Sequence, residues 1–127
     1  MNGMARILLV DDEETVRGLL KRGLEIDGHT ITTAIDGGDA LDRLTEAAGA
    51  FDLLLTDIRM PIMDGIALAL AAKRDYPDLT ILLMTGFADQ RERAKGLQAI
   101  VADVLTKPFS LSDLRGAVTR VLSPEGA

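Results

Sequence analysis

The sequence predicts an α/β fold in which a parallel sheet of five strands lies between two layers of helices. Five short apolar runs alternate with five segments whose apolar residues recur at helical spacing. Crossovers of that length join parallel strands and place helices on both faces of the sheet. The chain of 127 residues is long enough to bury a core of its own. We therefore expect a single domain over residues 1–127, with its core at about 5–122.

The strands are predicted from short runs of bulky apolar or β-branched residues. The central run, Leu53–Leu55, has the bulk of a strand that is buried on both faces, and Thr56 joins it to Asp57. Pro61 cannot continue this strand, and Asp64-Gly65 is a turn pair whose aspartate is expected to cap the next helix. The other predicted strands are Arg6–Val10, Thr30–Ala34, Thr80–Met84 and Asp103–Thr106.

The helices are predicted from apolar spacing and from their end signals. Ser110 followed by Asp113 is a variant of the capping box and predicts the start of the last helix. The third helix is expected to end just before Pro77, which disfavours helical geometry in the preceding residue. Asp36–Gly38 is expected to form a loop, and His29, which follows a helix-ending glycine, is expected at the surface. The predicted helical segments are Val16–Leu24, Asp39–Ala48, Ile66 to about Tyr76, Ala88–Gln98 and Leu111–Leu122.

Composition excludes several classes of protein. The absence of cysteine excludes a disulfide scaffold, a thiolate metal site and a cysteine nucleophile. A net charge of −6 argues against a nucleic-acid-binding face, which requires clustered Lys and Arg. No apolar run approaches the roughly 20 residues of a membrane helix, and the N-terminus has no visible secretory signal. We expect a cytoplasmic protein without membrane or nucleic-acid partners.

Five polar residues follow four of the predicted strands at the same edge of the sheet. Each alone is more often a helix cap, a turn residue or a solvated surface group. Together they bring three carboxylates, a hydroxyl and an ammonium to one crevice, and crowded carboxylates stay ionised only beside a compensating cation. Hard oxygen ligands without cysteine or histidine indicate Mg²⁺, with Mn²⁺ possible. The five residues are Asp11, Asp12, Asp57, Thr85 and Lys107.

This set, together with the segment Asp57–Gly65, resembles the receiver domain of two-component response regulators over essentially the whole chain. The resemblance implies a flavodoxin-like, CheY-like fold with strand order 2-1-3-4-5. It also implies that Asp57 is the phospho-acceptor, which takes a phosphoryl group from a histidine kinase or histidine phosphotransferase. Such a domain catalyses only its own phosphorylation and dephosphorylation, and it signals through protein contacts.

The resemblance assigns roles to the other residues at the edge. Thr85 and Lys107 would hold phosphoryl oxygens, and the bond between Lys107 and Pro108 would be cis. Asp11 would act on the metal mostly through a bound water, and Arg59 would bind the metal through its backbone carbonyl. The implied Mg²⁺ ligands are Asp11, Asp12, Asp57 and Arg59.

The sequence departs from the usual receiver pattern near the expected switch and output surface, which includes Val104, Phe87 and Pro108. Val104 stands where receivers usually carry Tyr or Phe, and Ile100–Val101 replaces a small pair in the preceding loop. This apolar pair is equally consistent with core packing and with an altered output face. Because Phe87 and Arg59 would line the path of attacking water, we expect an altered phosphate lifetime, which Arg59→Asn and Phe87→Glu would test.

A closer resemblance is to CpdR, a stand-alone receiver that acts as an adaptor in regulated proteolysis. It rests on Thr85–Ala88 and on Val104 in the aromatic position. We expect a monomer or weak dimer.

Two other functions are compatible with parts of the pattern. A Mg²⁺-dependent phosphohydrolase with an aspartyl-phosphate intermediate would carry a second Asp at the position of Arg59. A flavin-binding domain would need a hydroxyl- and glycine-rich loop after the first strand, where Asp11–Glu14 would instead repel the flavin phosphate.

Overall fold

The computed structural model describes residues 5–86 and 88–123, apart from the side chains of 88–91, and it confirms the predicted sheet. Five parallel strands lie in the order β2-β1-β3-β4-β5. The strands are β1 Arg6–Val10, β2 Thr30–Ala34, β3 Leu53–Asp57, β4 Thr80–Thr85 and β5 Asp103–Thr106. The helices are α1 Glu14–Glu25, α2 Gly37–Glu46, α3 Gly65–Asp75, α4 Ala88–Lys95 and α5 Leu111–Leu122. Within these residues no helix is long and apolar enough to cross a membrane.

The central strand β3 divides two apolar layers. All five of its residues are buried, and successive leucines point to opposite faces of the sheet. Leu54 packs in the layer that holds residues of α2 and α3, whereas Leu55 packs in the layer that holds residues of α1 and α5. The sheet is therefore covered on both faces, as its continuous apolar strands predicted.

The second helix begins earlier than predicted. Asp36 accepts a hydrogen bond from the backbone N–H of Asp39 at 2.8 Å and so caps a helix that starts at Gly37. The predicted loop at Asp36–Gly38 is therefore wrong. A methyl group at Gly37 would lie 2.7 Å from the sulfur of Met63, so glycine lets this side chain pack closely against the start of the helix. The helix also ends before Ala48, which has a positive φ of 53°.

One further helix end differs from its prediction, and another agrees with it. α4 stops at Lys95, three residues before the predicted end, because its polar sequence runs into Gly96. The predicted capping box of α5 is confirmed: Ser110 accepts from the N–H of Asp113 at 2.9 Å, and Asp113 accepts from that of Ser110 at 3.1 Å.

The predicted surface position of His29 is wrong. Only 5% of this residue is exposed, and its Nδ1 accepts a hydrogen bond from the N–H of Ala5 at 3.2 Å. The reason is that β2 starts one residue later beside β1, with the N–H of Thr30 bound to the carbonyl of Ala5. Pairing of β1 with β2 therefore buries His29 at the end of the turn.

Candidate functional site

The four strand ends bring the predicted polar residues together. Asp11 follows β1, Asp57 and Thr85 are the last residues of β3 and β4, and Lys107 follows β5. Carboxylate oxygens of Asp11, Asp12 and Asp57 all lie within 4.8 Å of one another. The ammonium of Lys107 lies 3.3 Å from Asp57 Oδ2 and 4.0 Å from Asp11 Oδ2. These distances define an acidic pocket with the ammonium of Lys107 at its wall.

The turn after β3 holds Asp57 in place through close backbone contacts. The N–H of Ile58 donates to the carbonyl of Met84 at 2.9 Å, and the N–H of Gly65 donates to that of Ile58 at 2.8 Å. A methyl group on Gly65 would overlap the carbonyl oxygen of Asp57, so only glycine fits there. The hydroxyl of Thr56 donates to the same carbonyl at 2.9 Å. The end of β3 is therefore fixed on both sides.

The loop after β1 is fixed by a residue that sequence analysis did not single out. Arg17 of α1 donates a hydrogen bond from Nη1 to the backbone carbonyl of Asp11 at 2.7 Å. Asp11 is fully buried, and its Oδ1 accepts from the N–H of Glu13 at 2.9 Å. No sequence pattern marks Arg17, because an arginine that binds a main-chain oxygen looks like any other helical surface charge.

Lys107, which follows β5, is held by the end of the neighbouring strand β4. Its backbone N–H donates to the carbonyl of Thr85 at 2.7 Å, and Thr85 is 1% exposed. The bond between Lys107 and Pro108 is cis, as the resemblance implied. The ends of β4 and β5 thus form one unit that directs the ammonium into the pocket.

Burial and repulsion shape the charges of the pocket. Burial raises the pKa of Asp57, the ammonium of Lys107 lowers it in part, and the neighbouring Asp11 raises it again. The pKa of Asp11 is also raised by burial, against the opposing effects of the Glu13 N–H and of Lys107. The ammonium of Lys107 therefore does not offset the cost of burying both carboxylates.

The donor set fits a divalent cation. Asp11 Oδ2 is buried and accepts no hydrogen bond from any residue that the structure describes. Two buried carboxylates and the exposed Asp12 offer three hard oxygen ligands within bonding reach of one ion. Mg²⁺ favours such oxygens and keeps further positions for water or phosphate.

The remaining predicted site residues lie around the pocket or outside the described chain. Arg59 is exposed in the turn after β3, and Pro108 is exposed beside Lys107. Val104 is half-buried and packs against the layer that contains Val101, which is 5% exposed. Val101 is therefore a core residue, as one of the two interpretations of Ile100–Val101 held. Phe87 lies outside the described residues.

The family model of the response regulator receiver domain matches residues 7–119. The chain belongs to this family. The receiver protein CpdR of Brucella abortus is 43% identical to it over 119 residues, which cover 94% of this chain and 98% of that protein. The transcriptional regulatory protein PrrA of Mycobacterium leprae is 36% identical over 122 residues, which cover 96% of this chain but 52% of PrrA. The chain thus spans about half the length of that relative.

A solved structure supports the same assignment. The response regulator TrrA of Thermotoga maritima, in complex with Mg²⁺-BeF, has a TM-score of 0.83 and 32% identity, over 93% of this chain and 99% of that one. Receiver domains are signalling domains that take phosphoryl groups from histidine kinases, and they bind Mg²⁺ at an acidic aspartate cluster. Asp11, Asp12 and Asp57 form such a cluster in this receiver.

Proposed function

We propose that Asp57 accepts a phosphoryl group from the phosphohistidine of a histidine kinase or histidine phosphotransferase. The observation that carries this proposal is the contact of 3.3 Å between Asp57 Oδ2 and the Lys107 ammonium, within a cluster of three carboxylates. In the transfer, an oxygen of Asp57 forms a bond to phosphorus as the bond from phosphorus to the imidazole nitrogen breaks. The imidazole keeps the electron pair, and the product is an acyl phosphate that water can hydrolyse.

The residues of the pocket divide the work of positioning and charge stabilisation. Asp11, Asp12, Asp57 and the backbone carbonyl of Arg59 would hold Mg²⁺, with Asp11 acting mostly through a water. When bound, the metal supplies positive charge to the phosphoryl oxygens. Lys107 adds a second positive charge, and Thr85 offers a hydroxyl to the same oxygens. The Mg²⁺-BeF complex of TrrA supports this assignment, because that receiver binds a metal together with a fluoroberyllate group.

The output is proposed to be a changed protein-interaction surface that includes Val104, Phe87 and Pro108. Residues 1–127 would act as one receiver domain in the cytoplasm, as a monomer or weak dimer. The resemblance to CpdR extends the proposal to an adaptor role in regulated proteolysis. Because Val104 has no aromatic ring, its surface would respond to phosphorylation through smaller movements than the usual Tyr or Phe allows.

Labelling with a small phosphodonor tests the phospho-acceptor. Acetyl phosphate with Mg²⁺ should label the protein with one phosphoryl group per chain, and Asp57→Ala should abolish the label. Asp42→Ala is the matched control, because Asp42 is an exposed carboxylate on α2. Full labelling of Asp57→Ala would refute the proposal, and repeated turnover of added phosphate esters would support the phosphohydrolase instead.

A further inference from the structure

The turn between β3 and α3 carries a fully exposed isoleucine in a strained conformation. Ile62 has a φ of 72° and a relative exposure of 106%. The N–H of Met63 donates to the carbonyl of Pro61 at 2.8 Å, which closes a three-residue γ-turn of the rare positive-φ kind with Ile62 at its centre. Ile62 is thus the tip of the turn.

Neither backbone conformation nor packing explains an isoleucine at this position. A β-branched residue at positive φ is an outlier, whereas glycine or asparagine adopts that conformation at lower cost. Burial cannot compensate, because the side chain of Ile62 is wholly in solvent. The backbone conformation therefore costs the isolated protein stability that no burial of the side chain offsets, and a gain elsewhere is the physical explanation that remains.

The position of the turn indicates where that gain arises. Ile62 follows Asp57 by five residues, on the loop that leaves the acidic pocket. Met63 packs against Gly37, so this loop touches the start of α2. Ile35, directly after β2, is 54% exposed on the adjoining loop at the same edge of the sheet. We call Ile62 and Ile35 the apolar rim.

We propose that the apolar rim is an anchor for the protein that carries the phosphohistidine, and that Ile62 contributes to the choice of that donor. This inference depends on the proposed function. Asp57 is only 7% exposed, so a histidine on another protein reaches it only if the donor surface covers the surrounding loops. Both residues of the rim lie on loops at the edge of the sheet where this pocket lies.

The charges near the rim indicate the chemistry of the donor surface. Asp12 and Glu13 are exposed on the neighbouring loop after β1, and Asp36 is half-exposed beside Ile35. An apolar anchor within a polar border is the usual arrangement of an energetically important contact. The matching donor surface would offer an apolar hollow bordered by basic side chains.

Two donors separate docking from chemistry. Acetyl phosphate contacts only the pocket, whereas a phosphorylated histidine phosphotransfer domain would also contact the rim. The phosphotransfer domain is chosen for its transfer to the wild-type chain. Ile62→Asn should lower kcat/KM for the protein donor about tenfold, mainly through KM, since truncated interface anchors commonly cost that much. Labelling by acetyl phosphate should stay within about twofold, and the thermal midpoint should rise because asparagine tolerates positive φ.

Matched variants make the outcome specific. Ile62→Met keeps an apolar side chain and should retain transfer from the protein donor. Ile26→Asn makes the same chemical change at a residue that is 71% exposed at the end of α1, at the opposite edge of the sheet, and should leave transfer unchanged.

Three results would overturn the inference. Unchanged transfer from the protein donor to Ile62→Asn would do so, as would an equal loss with acetyl phosphate. A wild-type dimer that Ile62→Asn dissociates without loss of transfer would assign the rim to a second copy of the chain. Failure of the proposed function would look different, because wild type itself would then take no label from acetyl phosphate.

Discussion

The side chain of Asp57 shows how one residue can be costly to the fold and necessary for the chemistry. It is buried beside Asp11, and both carboxyl groups have raised pKa values because burial disfavours their charged forms. Lys107 offsets only part of that cost. The free receiver therefore keeps a pocket that is more stable once a cation or a proton enters it.

Removing the charge of Asp57 should stabilise the metal-free protein. The raised pKa means that the native state binds protons more tightly than the unfolded state, so stability falls as pH rises through that pKa toward neutrality. At pH 7, Asp57→Asn should raise the free energy of unfolding by on the order of 1 kcal/mol. Urea unfolding without divalent ions measures this, with Asp42→Asn as control.

Magnesium should reverse the order of stability, so that wild type becomes more stable than Asp57→Asn. The metal binds the native pocket and not the unfolded chain, so above its dissociation constant it should stabilise wild type by an amount that grows with the logarithm of its concentration. Asp57→Asn replaces one charged carboxylate ligand with a weaker neutral amide oxygen and should respond less. An equal gain for both proteins would contradict the assignment of Asp57 as a ligand.

Arg17 should matter for the metal although it does not touch the site. Its hydrogen bond to the carbonyl of Asp11 sets the loop that carries two carboxylates. Loss of such a supporting contact typically lowers metal affinity 10- to 100-fold, so Arg17→Ala should raise the Mg²⁺ dissociation constant by roughly that factor. Calorimetric titration measures the constant. Arg17→Lys should recover part of the affinity, and Arg22→Ala, on an exposed arginine of the same helix, should not change it.

Among the structural elements, the turn from β3 to α3 depends most on a single glycine. Gly65 lies against the carbonyl of Asp57, and Asp64 caps α3 by accepting from the N–H of Ala67 at 2.9 Å. The cap was predictable from an aspartate before an apolar helical run. The close approach of Gly65 was not, because it depends on how α3 returns to the sheet.

Two glycine substitutions should change stability in opposite directions. Gly65→Ala forces the turn away from β3 and should cost about 1–3 kcal/mol, as overpacking typically does. Gly116→Ala, on an exposed position of α5 where nothing lies within 4 Å of the new methyl group, should add about 0.5–1 kcal/mol. Thermal unfolding compares them, and destabilisation by both would refute the steric argument.

Most of the elements could be predicted because apolar runs and end signals act locally. The five strands and the cap of α5 follow from composition over a few residues. The start of α2 at Gly37 could not be predicted in this way, since Gly-Gly favours a loop until Met63 packs onto it. The buried position of His29 likewise depends on pairing with a strand 24 residues away.

At the scale of the whole molecule, α1 and α5 are tied together across 88 residues of sequence. The guanidinium of Arg115 donates from Nε to Asp27 Oδ2 at 2.9 Å and from Nη2 to Oδ1. Leu111 packs into the space that Gly23 leaves open. The hydrogen bond from Arg115 holds the pKa of Asp27 below its usual range.

This ion pair predicts a loss of stability in acid. Because the native state lowers the pKa of Asp27, the pair contributes above the ordinary value of 3.8 and its contribution is lost as pH falls below that value. Asp27→Asn should therefore lower the urea midpoint at pH 7 and narrow the difference from wild type at pH 3. Asp75→Asn, in an exposed pair of adjacent residues, should have little effect at either pH.

The carboxyl edge could be predicted as a whole because parallel strands end together. Any sequence that places Asp11, Asp57, Thr85 and Lys107 at successive strand ends brings them to one pocket. Contacts to main-chain atoms, such as that of Arg17, and backbone strain, such as that of Ile62, leave no comparable signal in residue types.

The leucines of β3 have a consequence for how the chain tolerates change. Leu53, Leu54 and Leu55 present the same side chain to both layers. A shift of β3 by one residue in the sheet would therefore leave each layer nearly as apolar as before. Alignment must instead come from the residues beyond them, namely the hydroxyl of Thr56, the carboxylate of Asp57 and the bare backbone of Gly65. Replacing these leucines with Ile or Val should therefore be tolerated better than replacing Thr56, Asp57 or Gly65.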